Sequence, residues 1–451
     1  MNHNLKIGDL ILITIKRLGI NGEGIGYYKR LAVFVEGTIP GEVVEVKITE
    51  VMPKYVYAEA VKFKTRSEHR IKPEAEKLMK SGLVLQHINY KEQLVLKRQV
   101  IEEAFARYYD GELNSRVFKA TIGMEDLWHY RNQSRFPVRH DGEKVVVGLF
   151  EHKTNRLIHL SEYKEEYKVL GATISLVLDY LTKREINIYN PRFDQGNLRF
   201  IIFRGFEETN EVQVTFIIRE AEPRILNILK SVNTLANIKS VNYSINKDPK
   251  SIKMIDGEVI NLSGDKKING IFGDFKFRVS VNSFLENNLL QTKVLYDEVT
   301  KQVDFKNTDN VLELYSGIGL LSATLAKRVK SITAYDELID NISDANDLKE
   351  LNNLGNISFN CGNIDRVLNR KFPTSFDYLI VSPPPSGLSL GMINNIRKLN
   401  PKTIIYISTN PSTLAKNINH LQKTYKVNAI TPVDIAPNTP YINSITLLKK
   451  K

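Results

Sequence analysis

The chain of 451 residues has very little cysteine, since Cys361 is its only one. A single cysteine excludes an internal disulfide, and it excludes a zinc or iron–sulfur centre held by several cysteines of this chain. The sequence also lacks any run of 18 apolar residues, and the first residues, MNHNLKIGDL, contain no apolar signal segment. We therefore expect a cytoplasmic protein that has no membrane partner.

The composition is that of a globular protein, with 42% hydrophobic and 25% charged residues. The length exceeds what one ordinary core fills, so two or three domains are expected. The formal net charge is +12. Such an excess suits a polyanionic partner such as RNA, although a lysine-rich, solvated surface would explain the same number.

The first part of the chain, residues 1–63, is typical of short strands. The segments KIGDLILITIKRL, LAVFVEG and EVVEVKITEV are apolar or alternating, and NGEGIG and GTIPGE separate them. This spacing predicts a small five-stranded barrel of the kind that binds oligonucleotides. Tyr27 and Tyr28 follow the glycine turn, where they either stack on bases or pack within the barrel.

The middle of the chain mixes helix and strand patterns. Residues 89–109 have apolar positions at helical spacing, whereas strand-like runs such as KVVVGLFE, RFIIFRGF and EVQVTFIIRE dominate from about 115 to 280. One amphipathic helix, KVLGATISLVLDYLTKR, interrupts these strands. The pattern predicts an α+β domain.

The last part of the chain alternates strand and helix patterns from about residue 289. The strands include NVLELY, SITAYDE, NISFNCGN, FDYLIVSPPPSG and TIIYISTN. Strands that alternate with helices predict a doubly wound, mostly parallel sheet.

A glycine turn in this part predicts a nucleotide site. In ELYSGIG, Gly317 and Gly319 allow a sharp turn between a strand and a helix, whose N-terminus favours negative groups. Asp336 ends the next strand, about 20 residues further on, where an acid commonly binds ribose hydroxyls. The pair indicates an adenosine-containing ligand. A tight turn beside a solvated aspartate is the alternative interpretation.

A series of short motifs gives the chain a resemblance to a known family. In order they are SFLEN, LELYSGIG, AYD, GNI, SPPPSG, YISTNPSTLAKN and TPVDIAPNTPYINSITLLKK, preceded by LVLQHINYKEQLVLK and YRNQSRFPV. Over essentially its whole length the chain resembles the RNA (uracil-5-)-methyltransferases that have an N-terminal TRAM domain.

The resemblance implies an α/β fold with three parts. These are an N-terminal OB-like TRAM β-barrel that binds RNA, residues 1–63; a central α+β RNA-binding domain, residues 64–88 and 115–280; and a C-terminal class I, Rossmann-like methyltransferase domain, residues 89–114 and 281–451. It also implies S-adenosylmethionine as methyl donor, ribosomal or transfer RNA as partner, and a target uridine flipped out of its stack. We expect a monomer.

The family's reaction requires groups that this sequence replaces. In the family a cysteine of an S-C-N-P turn adds to C6 of uracil, C5 takes the methyl group, and a base removes the C5 proton. Thr409 takes the cysteine position, and a threonine hydroxyl without an adjacent base is a weak nucleophile. Asn443 takes the base position, where an amide cannot accept the proton. Ser382 takes the position of an aspartate in a D-P-P-R-x-G loop.

The donor and base sites implied by the resemblance are altered less. Phe284 is expected against the flipped base. The positions expected to bind the donor are Glu286, Tyr315, Gly317, Gly319, Asp336, Asn363 and Ser382. Glu286 replaces a glutamine, Asp336 a glutamate and Asn363 an aspartate. The Glu286 change would bring a carboxylate close to the donor's own carboxylate.

Many family members hold an iron–sulfur cluster on four cysteines. The matching positions here are Glu74, Lys80, Leu83 and Tyr163, so we expect neither a cluster nor a metal ion. Some relatives work without the cluster, so this loss does not argue against activity. Cys361 lies away from the nucleophile position, and we expect it to be a small buried residue.

Three hypotheses follow. The first, which we favour, is an RNA-binding protein on a methyltransferase scaffold that does not methylate uracil C5. The second is an active S-adenosylmethionine-dependent RNA methyltransferase whose acceptor, such as a ring or exocyclic nitrogen, needs no thiolate. The third is a regulatory protein that binds a true relative, and no apolar interface segment in the sequence supports it.

Overall fold

The computed structural model describes residues 5–151, 154, 156–248, 251, 254–372 and 375–451. These residues form two compact units. The first unit comprises Met1–Glu125, Pro383–Arg397 and Thr403–Lys451, and the second comprises Asp126–Ser382 and Lys398–Lys402. Within the described ranges, no helix is both long enough and apolar enough to cross a membrane.

The first unit begins with a closed barrel of five strands in the order β1-β2-β3-β5-β4. The strands are β1 (Leu10–Leu18), β2 (Gly24–Tyr28), β3 (Leu31–Val35), β4 (Val43–Val51) and β5 (Tyr55–Thr65). Successive side chains of a strand point to opposite faces, so alternate residues such as Ile11, Ile13 and Ile15 fill the interior. This confirms the five-stranded barrel predicted from the sequence.

A long helix, α1 (Tyr90–Tyr108), follows in the same unit. The side chain of Asn89 caps it by accepting a hydrogen bond from the backbone N–H of Glu92 at 3.0 Å. Inside the unit, the buried ammonium of Lys97 lies 2.6 Å from the carboxylate of Asp434. A buried lysine needs such a partner, because an unpaired charge is costly to remove from water.

The second unit contains a sheet of seven strands in the order β12-β11-β10-β9-β6-β7-β8. Its elements are β6 (Gln133–Asp141), β7 (Lys144–Phe150), β8 (Leu157–His159), α2 (Lys168–Lys183), β9 (Leu198–Phe206), β10 (Glu211–Ile218), α3 (Pro223–Ser231), β11 (Ile238–Ile245) and β12 (Val259–Gly264). Phe136, Phe203 and Val214 are fully buried among its apolar residues. The mixture of helices and strands is the one predicted for the middle of the chain.

A hairpin of β13 (Lys267–Phe272) and β14 (Phe275–Ser280) comes next. Its turn contains Gly273 at φ 57°, a left-handed conformation that glycine adopts without strain. The hairpin leads directly into the segment that carries Phe284.

The rest of the second unit alternates helices and parallel strands. Its elements are α4 (Leu289–Gln302), β15 (Asn310–Leu314), α5 (Leu320–Ala326), β16 (Ser331–Asp336), α6 (Ile339–Leu351), β17 (Ile357–Cys361), α7 (Ile364–Leu368) and β18 (Tyr378–Val381). The strands lie in the order β17-β16-β15-β18. The predicted alternation is confirmed, and it places the ends of β15 and β16 side by side, where such sheets bind ligands.

The last elements are α8 (Leu390–Leu399), β19 (Thr403–Ser408), α9 (Pro411–Leu421), β20 (Tyr425–Val433) and β21 (Asn443–Lys450). In the first unit β21 pairs antiparallel with β19 on one side and with β20 on the other. The helices α1 and α9 of this unit pack against each other.

Candidate functional site

The residues predicted for the site are divided between the two units. The second unit holds all positions predicted to bind the methyl donor or the flipped nucleobase, namely Phe284, Glu286, Tyr315, Gly317, Gly319, Asp336, Asn363 and Ser382. The first unit holds Thr409, at the predicted position of the nucleophile, and Asn443, at the predicted position of the general base that accepts the C5 proton.

The glycine turn after β15 has the backbone that the sequence predicts. Tyr315, Gly317 and Gly319 adopt φ angles of 61°, 55° and 84°. A Cβ at Gly319 would lie 2.4 Å from the ring of Phe359, so only glycine fits there. At Gly317 and Gly319 the turn therefore brings main chain without a side chain close to the end of β15.

Asp336, 7% exposed at the end of β16, binds this turn directly. Its Oδ2 accepts a hydrogen bond from the backbone N–H of Gly317 at 2.9 Å. Its Oδ1 accepts two more, from the backbone N–H of Leu338 and from the side chain of Asn341, each at 2.9 Å. A carboxylate has about four acceptor positions. Three are filled within the protein, which leaves room for about one ribose hydroxyl.

Asn363, predicted near the adenine, is engaged within the protein. It caps α7, since its Oδ1 accepts a hydrogen bond from the backbone N–H of Arg366 at 3.2 Å. Its Nδ2 donates to Glu337 at 2.9 Å. Both polar atoms of the exposed side chain thus have partners before any ligand binds.

Phe284 stands on a segment that buried polar groups hold in place. Its ring is 58% exposed, while its backbone N–H donates to Oδ1 of Asn341 at 2.8 Å. The side chain of Asn132 donates to the carbonyl oxygen of Glu286 at 2.7 Å. A Cβ at Gly317 would have the carbonyl oxygen of Phe284 4.0 Å away. The backbone of Phe284 is therefore held beside the glycine turn, and its ring is exposed.

Two more buried side chains hold the start of this segment. Arg204, 4% exposed, donates to the carbonyl oxygens of Ser280 at 2.7 Å and Ser283 at 2.8 Å. Asp344 accepts hydrogen bonds from the backbone N–H and the hydroxyl of Ser280, each at 2.7 Å, and from the hydroxyl of Ser283 at 2.5 Å. Satisfied buried polar groups of this kind make a segment rigid.

Two carboxyls near the donor positions have raised pKa values. Burial raises the pKa of Glu286 to about 7. Burial also raises the pKa of Glu313 to about 7, and the charge of Asp336 adds to this, whereas a hydrogen bond from Ser322 opposes it. Burial raises the pKa of Tyr315 to about 12. Both carboxyls are therefore partly protonated near neutral pH.

In the first unit, Thr409 is the exposed residue that follows β19. In the described ranges, its hydroxyl has no hydrogen-bond partner. Its neighbours form the turn instead: Ser408 and Asn410 bond to each other at 3.1 Å, and Asn410 caps α9 through the N–H groups of Ser412 and Thr413. These hydrogen bonds shape the turn, and the side chain of Thr409 is exposed from it.

Asn443 is the first residue of β21 and is 5% exposed. It pairs across the sheet with Val433. Tyr441, two residues earlier, is 67% exposed. Neither position therefore presents a carboxylate.

The loop that begins at Ser382 is held by hydrogen bonds of its backbone and of Asn417. In the second unit, the backbone N–H of Ser382 donates to the carbonyl oxygen of Leu314 at 3.3 Å. In the first unit, Gly387 adopts φ 75° and its N–H donates to the carbonyl oxygen of Pro384 at 2.8 Å. Asn417 accepts hydrogen bonds from the N–H of Leu388 at 2.7 Å and from the hydroxyl of Tyr406 at 2.8 Å, which holds the end of this loop.

Cys361 corrects one expectation, because it is exposed rather than buried. It ends β17, and its thiol donates a weak hydrogen bond to the carbonyl oxygen of Glu337 at 3.6 Å. Within the described ranges, no group of three or more histidine, cysteine, aspartate or glutamate side chains is arranged to hold a metal ion.

The sequence analysis missed the residues that support the site, above all Asn341, Asp344 and Arg204. Asn341 and Asp344 lie on the buried face of α6 with Ala345 and Leu348. Polar residues at positions where helical spacing predicts an apolar face are a usable signal. Asn132 lies within YRNQSRFPV, but the motif does not say what its amide contacts.

The fold and the glycine turn together define the class of the protein. The parallel strands with a glycine turn and an acid, and the N-terminal five-stranded barrel, form a class I methyltransferase fold with a TRAM-type barrel. The model of the tRNA (Uracil-5-)-methyltransferase family matches residues 89–451, and that of the TRAM domain matches residues 4–61. The chain belongs to this RNA uracil-5-methyltransferase family.

Similar proteins match this chain over nearly its full length. An uncharacterized RNA methyltransferase of Bacillus cereus is 32% identical over 99% of this chain and 98% of its own. One of Halalkalibacterium halodurans is 34% identical over the same shares. The Pyrococcus abyssi tRNA (uracil-54, C5)-methyltransferase, solved with S-adenosyl-L-homocysteine, has a TM-score of 0.76 at 24% identity. That match covers 96% of this chain and 98% of the other, and it establishes the fold.

Proposed function

We propose that this protein binds RNA, places one base against Phe284, and does not methylate C5 of uracil. The observation that carries the proposal is the hydroxyl of Thr409, which has no activating partner in the described part of the first unit. Asn443 and Ser382 also support the proposal, since they stand at the positions of the family's general base and of its aspartate. The three positions act in one reaction, so losing all of them removes more than any single repair restores.

The chemistry explains why threonine is a poor replacement. C5 of uracil becomes nucleophilic only after a soft nucleophile adds to C6. An alcohol with an ordinary high pKa is almost wholly protonated near neutral pH, and a neighbouring base would have to take its proton. After methyl transfer, the C5 proton must leave to a base, and the amide of Asn443 has no basic lone pair to offer.

The proposal of RNA binding rests on the barrel, the charge and the exposed aromatic residue of this chain. The TRAM-type barrel, the net charge of +12 and the exposed Phe284 suit a single-stranded or flipped nucleotide. In the barrel, Tyr27 is 46% exposed and available for stacking, whereas Tyr28 packs against the barrel core. Ribosomal or transfer RNA is the proposed partner.

Donor binding is part of the proposal as well. The turn of Gly317 and Gly319 and the carboxylate of Asp336 support an adenosine-containing ligand, and the solved Pyrococcus abyssi relative contains S-adenosyl-L-homocysteine. We infer that S-adenosylmethionine binds here, against the carboxylate of Glu286. If no methyl group is transferred, the bound S-adenosylmethionine has a structural role.

One experiment tests the proposal directly. The purified full-length chain is incubated with radiolabelled S-adenosylmethionine and with total RNA from cells that lack the protein. We expect RNA to be retained on the protein and no labelled 5-methyluridine to form. The appearance of 5-methyluridine with wild-type protein would refute the loss of activity, and the absence of RNA binding would refute the binding role.

The second candidate is methyl transfer to a nitrogen of RNA. It is favoured by the retained glycine turn and by the uncharged Ser382–Pro385 loop, since a nitrogen lone pair needs no thiolate. The same incubation detects it as label in a nucleoside other than 5-methyluridine. Calorimetry that finds no S-adenosylmethionine binding at about millimolar donor would end this candidate.

A further inference from the structure

One face of the central sheet carries polar residues side by side. Gln133 of β6 lies opposite Arg204 of β9, which lies opposite Gln213 of β10. The next row on the same face contains Arg135 of β6, Ile202 of β9 and Thr215 of β10. Two arginines therefore occupy adjacent rows of one sheet face, as side-chain alternation along strands requires.

Within the described residues, neither of these two arginines forms an ion pair. Arg204 is buried, and it donates to the amide oxygen of Gln133 at 2.9 Å and to the backbone carbonyl oxygens of Ser280 and Ser283. Burial and the positive charge of Arg135 lower the pKa of Arg204 to about 10, while Asp344 partly compensates. Among the described residues, Arg135 is exposed and has neither a hydrogen bond nor an ion pair.

A narrow crevice opens between these side chains. Its polar lining consists of Gln133, Arg135, Arg204, Gln213 and Thr215, and within the described residues it includes no carboxylate. The side-chain NH2 of Gln133, which is 6% exposed, has no acceptor among the described residues. The crevice thus offers donors and positive charge.

The size of the crevice decides which part of a ligand it can take. Its volume is about 10 Å³, which is room for one oxygen atom and too little for a nucleobase or an aromatic ring. An anionic oxygen can enter while the rest of its group stays at the rim beside Arg135. Phosphate and guanidinium match in geometry and charge.

We propose that this crevice binds a phosphate group of the RNA backbone, with one phosphate oxygen inside it and Arg135 at its rim. The inference rests on the proposed RNA-binding function and assigns that function a phosphate contact. The crevice is also lined by Val281, and Arg204 holds the carbonyl oxygens of Ser280 and Ser283. Phe284 follows directly, so the bound phosphate belongs to a nucleotide near the one whose base lies on Phe284.

The test uses the full-length protein and a fluorescein-labelled oligouridine, titrated at several salt concentrations. Arg135→Gln removes the charge at a position that makes no internal hydrogen bond, so the variant is expected to fold. We expect its RNA affinity to fall roughly tenfold and its salt slope to decrease by about one. Arg135→Lys is expected to keep the slope and lose part of the affinity, because lysine cannot bind bidentately.

The matched control is Arg224→Gln, which removes the same charge from an exposed arginine of α3. We expect it to bind as the wild type does. A second arm uses oligouridines that each contain one uncharged methylphosphonate linkage. One linkage should weaken binding to wild type and have no further effect on Arg135→Gln.

Two outcomes would overturn the inference. If Arg135→Gln and Arg224→Gln bind RNA equally, or if no single methylphosphonate distinguishes wild type from Arg135→Gln, the crevice does not bind the backbone. In either case wild-type binding would still support the proposed function. A wild type that binds no RNA would instead overturn the proposed function, and this inference with it.

Discussion

The side-chain oxygen of Asn341 accepts a hydrogen bond from the backbone N–H of Phe284 at 2.8 Å. The nitrogen of the same amide donates to Asp336 at 2.9 Å, and Asp336 in turn accepts from the N–H of Gly317. One buried amide thus connects the residue proposed to contact the base with the acid proposed to contact the donor. A ligand that orders Asp336 would help to order Phe284, and the reverse holds by linkage.

Replacing this amide should loosen both sites. Asn341→Ala removes the side-chain acceptor of the Phe284 N–H and one of the two donors to Oδ1 of Asp336, which costs about 1–3 kcal/mol of unfolding free energy. We expect weaker donor binding as well, because Asp336 loses one of the three hydrogen bonds that orient it. Urea unfolding and calorimetry with S-adenosylhomocysteine measure the two effects. Asn346→Ala, an exposed asparagine in the same helix, is the control, and equal effects in both variants would refute the role of Asn341.

The buried carboxyl of Glu313 should make stability depend on pH. Its folded-state pKa is raised from 4.5 to about 7, so the folded state binds more protons than the unfolded state between these values. The unfolding free energy therefore falls as pH rises from about 5 to about 7, by roughly 3 kcal/mol, and then levels off.

Glu313→Gln tests this dependence, because glutamine does not titrate. Above about pH 7 the variant should gain stability relative to wild type, and its urea midpoint should change less between pH about 5 and about 8. Glu350→Gln, at an exposed position of α6, should keep the wild-type dependence. Parallel curves for wild type and Glu313→Gln would contradict the assignment.

Donor affinity should also depend on pH through Glu286. Burial raises the pKa of this carboxyl to about 7, and the proposed donor carries a carboxylate of its own. Affinity for S-adenosylhomocysteine should therefore fall as pH rises through about 7, when Glu286 becomes charged. Calorimetry across this range measures it. Glu286→Gln should bind more tightly at high pH and with little pH dependence, and an unchanged dependence would place the donor elsewhere.

Restoring the thiol alone should not restore methylation. Thr409→Cys supplies a nucleophile, but Asn443 still cannot remove the C5 proton and Ser382 still lacks a carboxylate. We expect no 5-methyluridine from the single variant in a radiolabelled assay. The triple variant with Asn443→Glu and Ser382→Asp is the informative comparison. Activity in Thr409→Cys alone would mean that the other two positions are not required.

Phe284 should contribute to RNA affinity by stacking. Its ring is 58% exposed and its backbone is held by other residues, so Phe284→Ala should fold normally. Loss of one stacked base costs about 1–3 kcal/mol of binding free energy, roughly a 5- to 150-fold loss of affinity. RNA titration measures this. Leu290→Ala, an exposed apolar residue of α4, should leave affinity unchanged, and an equal loss there would indicate a nonspecific effect.

Much of the fold follows from local patterns in the sequence. The barrel strands, the alternation of strands and helices, and the glycine turn at Gly317 and Gly319 all depend on side-chain alternation and on backbone freedom, which neighbouring residues determine. The pairing of Gly317 with Asp336 was predictable because adjacent parallel strands end at one edge.

The support of the site was not predictable in this way. Arg204 reaches Ser280, and Asn132 reaches Glu286, across many residues of sequence. No local pattern specifies which backbone carbonyl a buried polar side chain will satisfy. Cys361 shows the same limit, because a small apolar residue at a strand end is buried or exposed according to what packs over it.

By itself the sequence determined the family and the identity of the side chains at Thr409, Asn443 and Ser382, on which the proposed loss of uracil C5 methylation rests, since the reactivity of a side chain is a property of its atoms. Only the tertiary structure decided how Phe284 is held and that Arg135 and Arg204 share one crevice. These relationships arise from the register of strands and from buried polar groups that must find partners, and both are settled when distant segments pack together.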